Sequence, residues 1–189
     1  MPTVDTSQFR NGLKLELDGQ PFVITYFQHV KPGKGGAFVR TKVKNLINGK
    51  VLERTFRSGE KAEEANVEER TMQYLYRDGE NLVFMDTQTY DQMPIPEAGV
   101  GDHVLLLKEN TEVDVLLWNG KPVNIELPQF VEPLVTKSDP GLKGDTSSGA
   151  TKPATLETGA EIQVPLFIKE GDVLRIDTRT GAYTERVSS

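Results

Sequence analysis

Lys34 is the residue with the most chemical potential in this chain. It stands in the loop Lys31-Pro32-Gly33-Lys34-Gly35-Gly36, between two strand-like runs, PFVITYFQHV and AFVRTKVKNL. Glycines turn tightly and let a partner approach the backbone, and proline fixes its own φ, so the lysine is presented outward on a constrained tip. An outward amine can act as a point charge for phosphate, or as a target for side-chain modification. The alternative is a solvated hairpin tip whose lysine serves solubility. The loop alone leaves both readings open.

Other chemistries find fewer residues. A phosphate-binding P-loop needs a glycine five positions before its Gly-Lys pair and a Ser or Thr after it, but Gln28 and Gly35 stand there. No nucleophile elbow, zinc-protease helix or dinucleotide-binding glycine run occurs. The chain has no Cys and only two His, which removes a Cys/His zinc site, a disulfide framework and a cysteine nucleophile. His29, at the end of an apolar run, and His103, beside a short helical stretch, read as structural or surface residues. Oxygen-ligand metal sites stay open on composition; carboxylates are plentiful, yet no pair stands out from the solvating background, and neither a metal nor a cofactor is expected. No apolar run reaches the ~20 residues of a membrane span, and MPTVDTSQFR lacks a signal-peptide pattern, so the cytoplasm is the expected compartment.

The net charge of -6 is unevenly spread over the 189 residues. Residues 1–64 carry eleven basic against seven acidic side chains, 65–128 four against twelve, and 129–189 seven against nine. The N-terminal third would attract phosphate and the middle third repel it. A charge run can equally be a solvated face.

Strand signals dominate the elements that must position the lysine. Leu13, Leu15 and Leu17 alternate with polar residues before an Asp18-Gly19 turn. After the Lys34 loop, alternation puts Ala37, Val39, Thr41 and Val43 on a core face and Phe38, Arg40, Lys42 and Lys44 on a mostly cationic one. Asn48-Gly49 is a two-residue hairpin signal. Four or five strands in about 60 residues predict a small SH3-like barrel. A boundary is expected in the charged stretch from Gly59 to Ala65. Beyond it, hairpins at Asp78-Gly79 and Asn119-Gly120, with a short helix across 97–107, predict an OB-type barrel ending at Pro128. A third, OB-like unit follows, with a long turn-rich loop SDPGLKGDTSSGATKP of the kind that tends to be functional. The units are expected at 1–64, 65–128 and 129–189. No internal repeat is strong enough to relate the second to the third.

On these residues the chain resembles the bacterial translation elongation factor P family. The resemblance runs through HVKPGKGGAFVRTKVKNL, YLYRDGENLVFMDTQTYDQ, WNGKPVNIELP, DPGLKGDTSSGATKPATLETGAEIQVPLFI and GDVLRIDTRTGAYTERV, and so covers the whole chain. It implies an all-β fold of three small barrels in an L, an SH3-like or KOW-like barrel followed by two OB-fold barrels. The implied function is to enter the ribosome between the peptidyl and exit sites and stimulate peptide-bond formation at consecutive prolines by positioning peptidyl-tRNA. The factor is not itself an enzyme and is expected to be a monomer. Lys34 matches the position that reaches toward the CCA end of the tRNA and is commonly lengthened by a modifying enzyme, with Lys31, Pro32, Gly33, Gly35 and Gly36 shaping the tip. Arg40, Lys42 and Lys44 would hold tRNA phosphates, a reading from strand alternation. Gly144, Asp145 and Thr146 match a loop that approaches messenger RNA in the exit site. Arg179 and Tyr183 match a C-terminal motif, and surface charge and barrel packing describe them as well. The tip lysine argues against the branch with an arginine there. The lysine and the Gly-Asp-Thr loop argue against the elongation-factor-P-like paralogue, and the third barrel against the two-domain archaeal and eukaryotic relative. A general RNA-binding or transcription-regulating KOW/OB module is the alternative from another class.

Overall fold

The computed structural model describes residues 2–141 and 149–189. Six strands form the first antiparallel sheet: β1 (Thr3–Asp5), β2 (Lys14–Leu17), β3 (Gln20–Val30), β4 (Phe38–Asn45), β5 (Val51–Arg57) and β6 (Lys61–Glu64), in the order β1-β6-β2-β3-β4-β5. Alternation in the sequence becomes alternation in space. Leu15, Ile24, Val39, Val43 and Phe56 are buried in one core, where Phe9 meets Phe56 edge-on with centroids 5.1 Å apart. Each such side chain contributes about 1.5–3 kcal/mol by leaving water.

Two expectations are corrected here, the strand count and the second hairpin. The charged stretch from Gly59 to Ala65 holds β6, whose Ala62 is buried opposite Val4 while Lys61 and Glu63 point outward. A strand with one inward alanine gives little apolar signal, which is why the strand count rises to six. The Asn48-Gly49 hairpin is not a two-residue turn: β4 and β5 pair up to Lys44 and Val51, and the loop is organised from Asn45. By contrast Asp18 and Gly19, at φ +52° and +73°, form the expected tight turn between Leu17 and Gln20.

The second sheet comprises β7 (Val67–Asp78), β8 (Asn81–Asp86), β9 (Gln92–Pro96), β10 (Glu112–Trp118) and β11 (Lys121–Glu126), in the order β11-β10-β7-β8-β9. The expected short helix lies between β9 and β10, as α1 (Glu97–Val100) and a 3-10 helix (Gly101–Leu106). Two three-stranded sheets follow. One joins β12 (Phe130–Val131), β16 (Val173–Asp177) and β17 (Ala182–Ser188), and the other β13 (Val135–Ser138), β14 (Thr151–Leu156) and β15 (Glu161–Pro165). Val135, Leu156, Val164, Ile168, Leu174 and Ile176 are buried together there, and Leu106 joins the same cluster. By compactness the chain divides into two units, Met1–Glu69 with Leu116–Asn124 and Arg70–Val115 with Ile125–Ser189. No helix among the described residues is long and apolar enough to cross a membrane.

One turn recurs in three sheets. Asn45, Asp86 and Asp177 each end a strand, and each side-chain Oδ1 accepts from the backbone N–H two residues on: Ile47 at 2.8 Å, Gln88 at 2.7 Å and Arg179 at 2.9 Å. The carbonyl of each accepts from the residue four positions on, Gly49, Tyr90 and Gly181, which all have positive φ, at +74°, +63° and +71°. Glycine takes that conformation freely, while a side chain there costs on the order of 1–2 kcal/mol. The underlying sequences are NLING, DTQTY and DTRTG.

The buried Asp86 carboxyl is held below the usual carboxylate range by the N–H groups of Gln88 and Thr89, against the effect of burial, with Arg70 assisting. Its folded pKa is depressed, so its contribution is complete above the ~3.9 of an unfolded aspartate and is lost as pH falls through the folded value. Asp86→Asn should therefore melt below the parent at neutral pH, and the gap should narrow as the pH drops below about 4. Thermal unfolding of both proteins across that range checks this; a gap independent of pH contradicts it.

Candidate nucleic-acid interface

The β3–β4 hairpin carries the candidate site. Its ladder runs from Phe22 opposite Asn45 to Val30 opposite Phe38, with one register shift between Ile24 and Tyr26. Thr25 is the extra residue, and such a bulge increases local twist. Beyond Val30 the chain leaves the ladder for residues 31–37. Lys31, Pro32, Gly33, Lys34, Gly35 and Gly36 are all exposed, so the structure brings the whole predicted tip together in solvent. Within it only Gly35 has a positive φ, at +99°. A Cβ at Gly33, Gly35 or Gly36 would meet nothing within 4 Å. One glycine is therefore required by the backbone; the other two leave room around the lysine.

Arg40, Lys42 and Lys44 lie exposed along β4, while Val39, Thr41, Val43 and Asn45 between them are buried. Residues directly opposite one another on paired strands share a face. The cationic face therefore also receives Gln28 and Tyr26 from β3, opposite Arg40 and Lys42, and Arg57, Thr55 and Glu53 from β5, opposite Phe38, Arg40 and Lys42. Tyr26, Gln28 and Arg57 escape sequence reasoning because the bulge and the loop after Asn45 conceal the cross-strand register. The only available signal for Tyr26 is the aromatic itself, in a strand whose Phe22 and Ile24 turn to the core.

Among the described residues, none of Lys31, Lys34, Arg40, Lys42 and Lys44 forms an ion pair. Lys42 Nζ instead lies 5.9 Å from the centre of the Tyr26 ring, and the Arg40 guanidinium 6.0 Å from that of Phe38. These aromatic contacts orient the cations without neutralising them. Arg54 behaves differently, pairing with Asp18 at 2.9 Å. The result is a ridge of positive charge, free of ion pairs among the described residues although Glu53 stands opposite Lys42, leading to an exposed amine. Such a surface can hold a phosphate backbone without reading base sequence.

The remaining candidates separate from this ridge. Gly144, Asp145 and Thr146 lie outside the described residues. Arg179 is exposed and hydrogen-bonds Asp177 through its guanidinium and backbone N–H, holding that carboxyl below its usual range. Tyr183 is half-buried against the cluster of Val135, Leu156 and Ile176, consistent with a packing role. His29 is exposed, edge-on to Phe27 at 5.8 Å. No group of three metal-ligating side chains occurs among the described residues. A cleft of about 500 Å³ in the second unit includes Tyr74, Arg77, Lys108 and Glu157. Its cations are engaged, Lys108 with Glu157 at 3.3 Å and Arg77 with Glu97.

The tip yields a direct test of its backbone. Gly35→Ala should cost about 1 kcal/mol, lowering the melting temperature by roughly 2–4 °C, whereas Gly33→Ala and Gly36→Ala should leave it unchanged. Thermal unfolding of the three variants decides; equal shifts in all of them would contradict the assignment.

Comparison with known proteins covers nearly the whole chain. Residues 5–62 match the model of the Elongation factor P (EF-P) KOW-like domain, 67–125 that of the Elongation factor P (EF-P) OB domain, and 131–186 that of Elongation factor P, C-terminal. The chain is 56% identical over 183 residues to Elongation factor P of Moorella thermoacetica, covering 97% of this chain and 99% of the relative. It is 57% identical over 184 residues to Elongation factor P of Mycobacterium avium, covering 97% and 98%. Among solved structures, the eukaryotic translation initiation factor 5A from Methanococcus jannaschii superposes with a TM-score of 0.52 at 24% identity, over 67% of this chain and 92% of that one. An eif-5a family protein from Naegleria fowleri gives 0.54 at 18% identity, over 67% and 98%. These two likenesses bear on the fold, which is all-β and built of several barrels.

Proposed function

The chain belongs to the elongation factor P family and is a translation elongation factor; on that premise we propose that it binds the ribosome between the peptidyl and exit sites and speeds peptide-bond formation at consecutive prolines. The observation that carries this reading is the exposed Lys34 at the end of a paired hairpin whose β4 face bears Arg40, Lys42 and Lys44, none of them in an ion pair among the described residues. The three barrels are assigned to 1–64, 65–128 and 129–189, supported by the three successive family matches. The factor works as a monomer in the cytoplasm.

Proline is a poor attacking amine, because its ring constrains both the nucleophile and the chain that follows. Holding the CCA end of peptidyl-tRNA in reactive geometry removes orientational entropy before the reaction begins, and each ~1.4 kcal/mol so gained is tenfold in rate. In this reading the β4 cations grip tRNA phosphates and fix register, while Lys34 steadies the acceptor end. The new bond is made by the ribosome, so the factor is not the enzyme. A group added to Lys34 by a modifying enzyme would lengthen its reach, and among the described residues there is open space within 4 Å of where a Cβ would stand on each tip glycine. The loop containing Gly144, Asp145 and Thr146 would face messenger RNA, its carboxylate accepting from base amino groups.

Lys34→Ala should fold as the parent does, since the side chain contributes no packing, and should reduce output of a polyproline reporter by about tenfold while sparing a proline-free one. Equal output from variant and parent in cells lacking the native factor defeats the reading. A general RNA-binding module would instead bind free RNA with a steep salt dependence, and Lys34→Ala would weaken it no more than Arg40→Ala. Intact-mass measurement on protein from its native host should find an added mass at Lys34.

A further inference from the structure

Tyr90 has no role in the fold that the structure explains. It occupies the one position of the recurring turn where backbone geometry favours glycine, and the two equivalent turns have Gly49 and Gly181 there. Its backbone is at φ +63°, yet its side chain is 71% exposed. Among the described residues its ring makes no aromatic or cation contact and its hydroxyl no hydrogen bond. A strained residue that stays largely in solvent and makes no such contact among the described residues points to a contact outside its own chain.

The surroundings define the chemistry of that contact. The tip Gln88-Thr89-Tyr90-Asp91-Gln92 is wholly exposed, and Asp91 is its only charged residue. At its base, the Thr71 carbonyl accepts from the Thr87 N–H and hydroxyl, at 3.3 and 3.1 Å, and the Thr71 hydroxyl donates to Asp114 at 3.0 Å. Residues 65–128 carry twelve acidic side chains against four basic ones. Such a field repels nucleic-acid phosphate and attracts lysine and arginine. The face of a tyrosine ring is itself negative and receives a guanidinium or ammonium group above it.

We propose that Tyr90 docks on a basic protein surface of the ribosome, its ring stacking on an arginine or lysine side chain. The proposal rests on the ribosome-binding reading above and adds a second foothold, of opposite charge to the β4 ridge. The β4 ridge suits phosphate; the Tyr90 tip suits cationic protein. The strained turn holds the ring out from the end of β8 before any partner arrives, so little side-chain freedom is lost on contact.

The test uses the full chain and purified ribosomes. Tyr90→Gly relieves the strain and should raise the melting temperature by roughly 2–4 °C, while weakening ribosome association about five- to tenfold. Tyr90→Phe retains the ring face and should bind within about twofold of the parent. A benzophenone amino acid at position 90, irradiated on the ribosome, should cross-link to a lysine- or arginine-rich ribosomal protein peptide. Parent-like binding by Tyr90→Gly, a lowered melting temperature for it, or cross-links to RNA alone would each overturn the proposal. A parent chain that fails to bind ribosomes overturns the functional reading itself and this proposal with it, a result visible before any variant is compared.

Discussion

The antiparallel pairing of β3 with β4 is the constraint on which the rest depends. Its register sets Val39, Thr41 and Val43 into the first core and Arg40, Lys42 and Lys44 into solvent. Because side chains alternate with a period of two, a slip of one residue would bury three cations and expose the apolar set. Core burial and the charged face are thus one specification. The buried side prevents slippage, at about 1.5–3 kcal/mol per large apolar residue. The Thr41 hydroxyl, buried among them, is satisfied by donating to the Arg54 carbonyl at 2.7 Å. The same ladder ends at Val30 and Phe38, and so determines where Lys34 leaves the barrel.

Much of this was legible in the residues. AFVRTKVKNL states its two faces by simple alternation, and Asp18-Gly19 states its turn by composition. The structure departs from the sequence reading where the signal was not local. The strand β6 has one buried alanine among charged neighbours and is recognisable only through its partners β1 and β2. The loop after β4 is set by the Asn45 side chain, whose Nδ2 donates to Gln20 Oε1 at 2.6 Å while Oδ1 receives Ile47 N–H. No dipeptide rule for hairpins contains that contact. Likewise, composition gave three tip glycines equal weight, whereas backbone angles single out Gly35.

The recurring turn shows how little sequence a shared geometry needs. DTQTY and DTRTG agree closely, but NLING shares with them only a short side-chain acceptor at its first position. Either Asn or Asp can begin the turn because its geometry needs only one oxygen placed to receive N–H groups two and three residues ahead. Two of the three turns then end in glycine, which makes the tyrosine of the other informative. A departure from a local rule is evidence only when the rule is seen to operate elsewhere in the same molecule.

That no β4 cation forms an ion pair among the described residues has a further consequence for what would drive association with a nucleic acid. A nucleic acid travels with a condensed sheath of small cations, and every phosphate that meets one of these side chains sets roughly one of them free. Among the described residues no ion pair would have to be broken first, so the driving force of such an association would come largely from the entropy of liberated ions rather than from new bonds. The grip of this face would then follow the ionic make-up of the surrounding fluid, and a shift in cellular potassium would act as a dial on it.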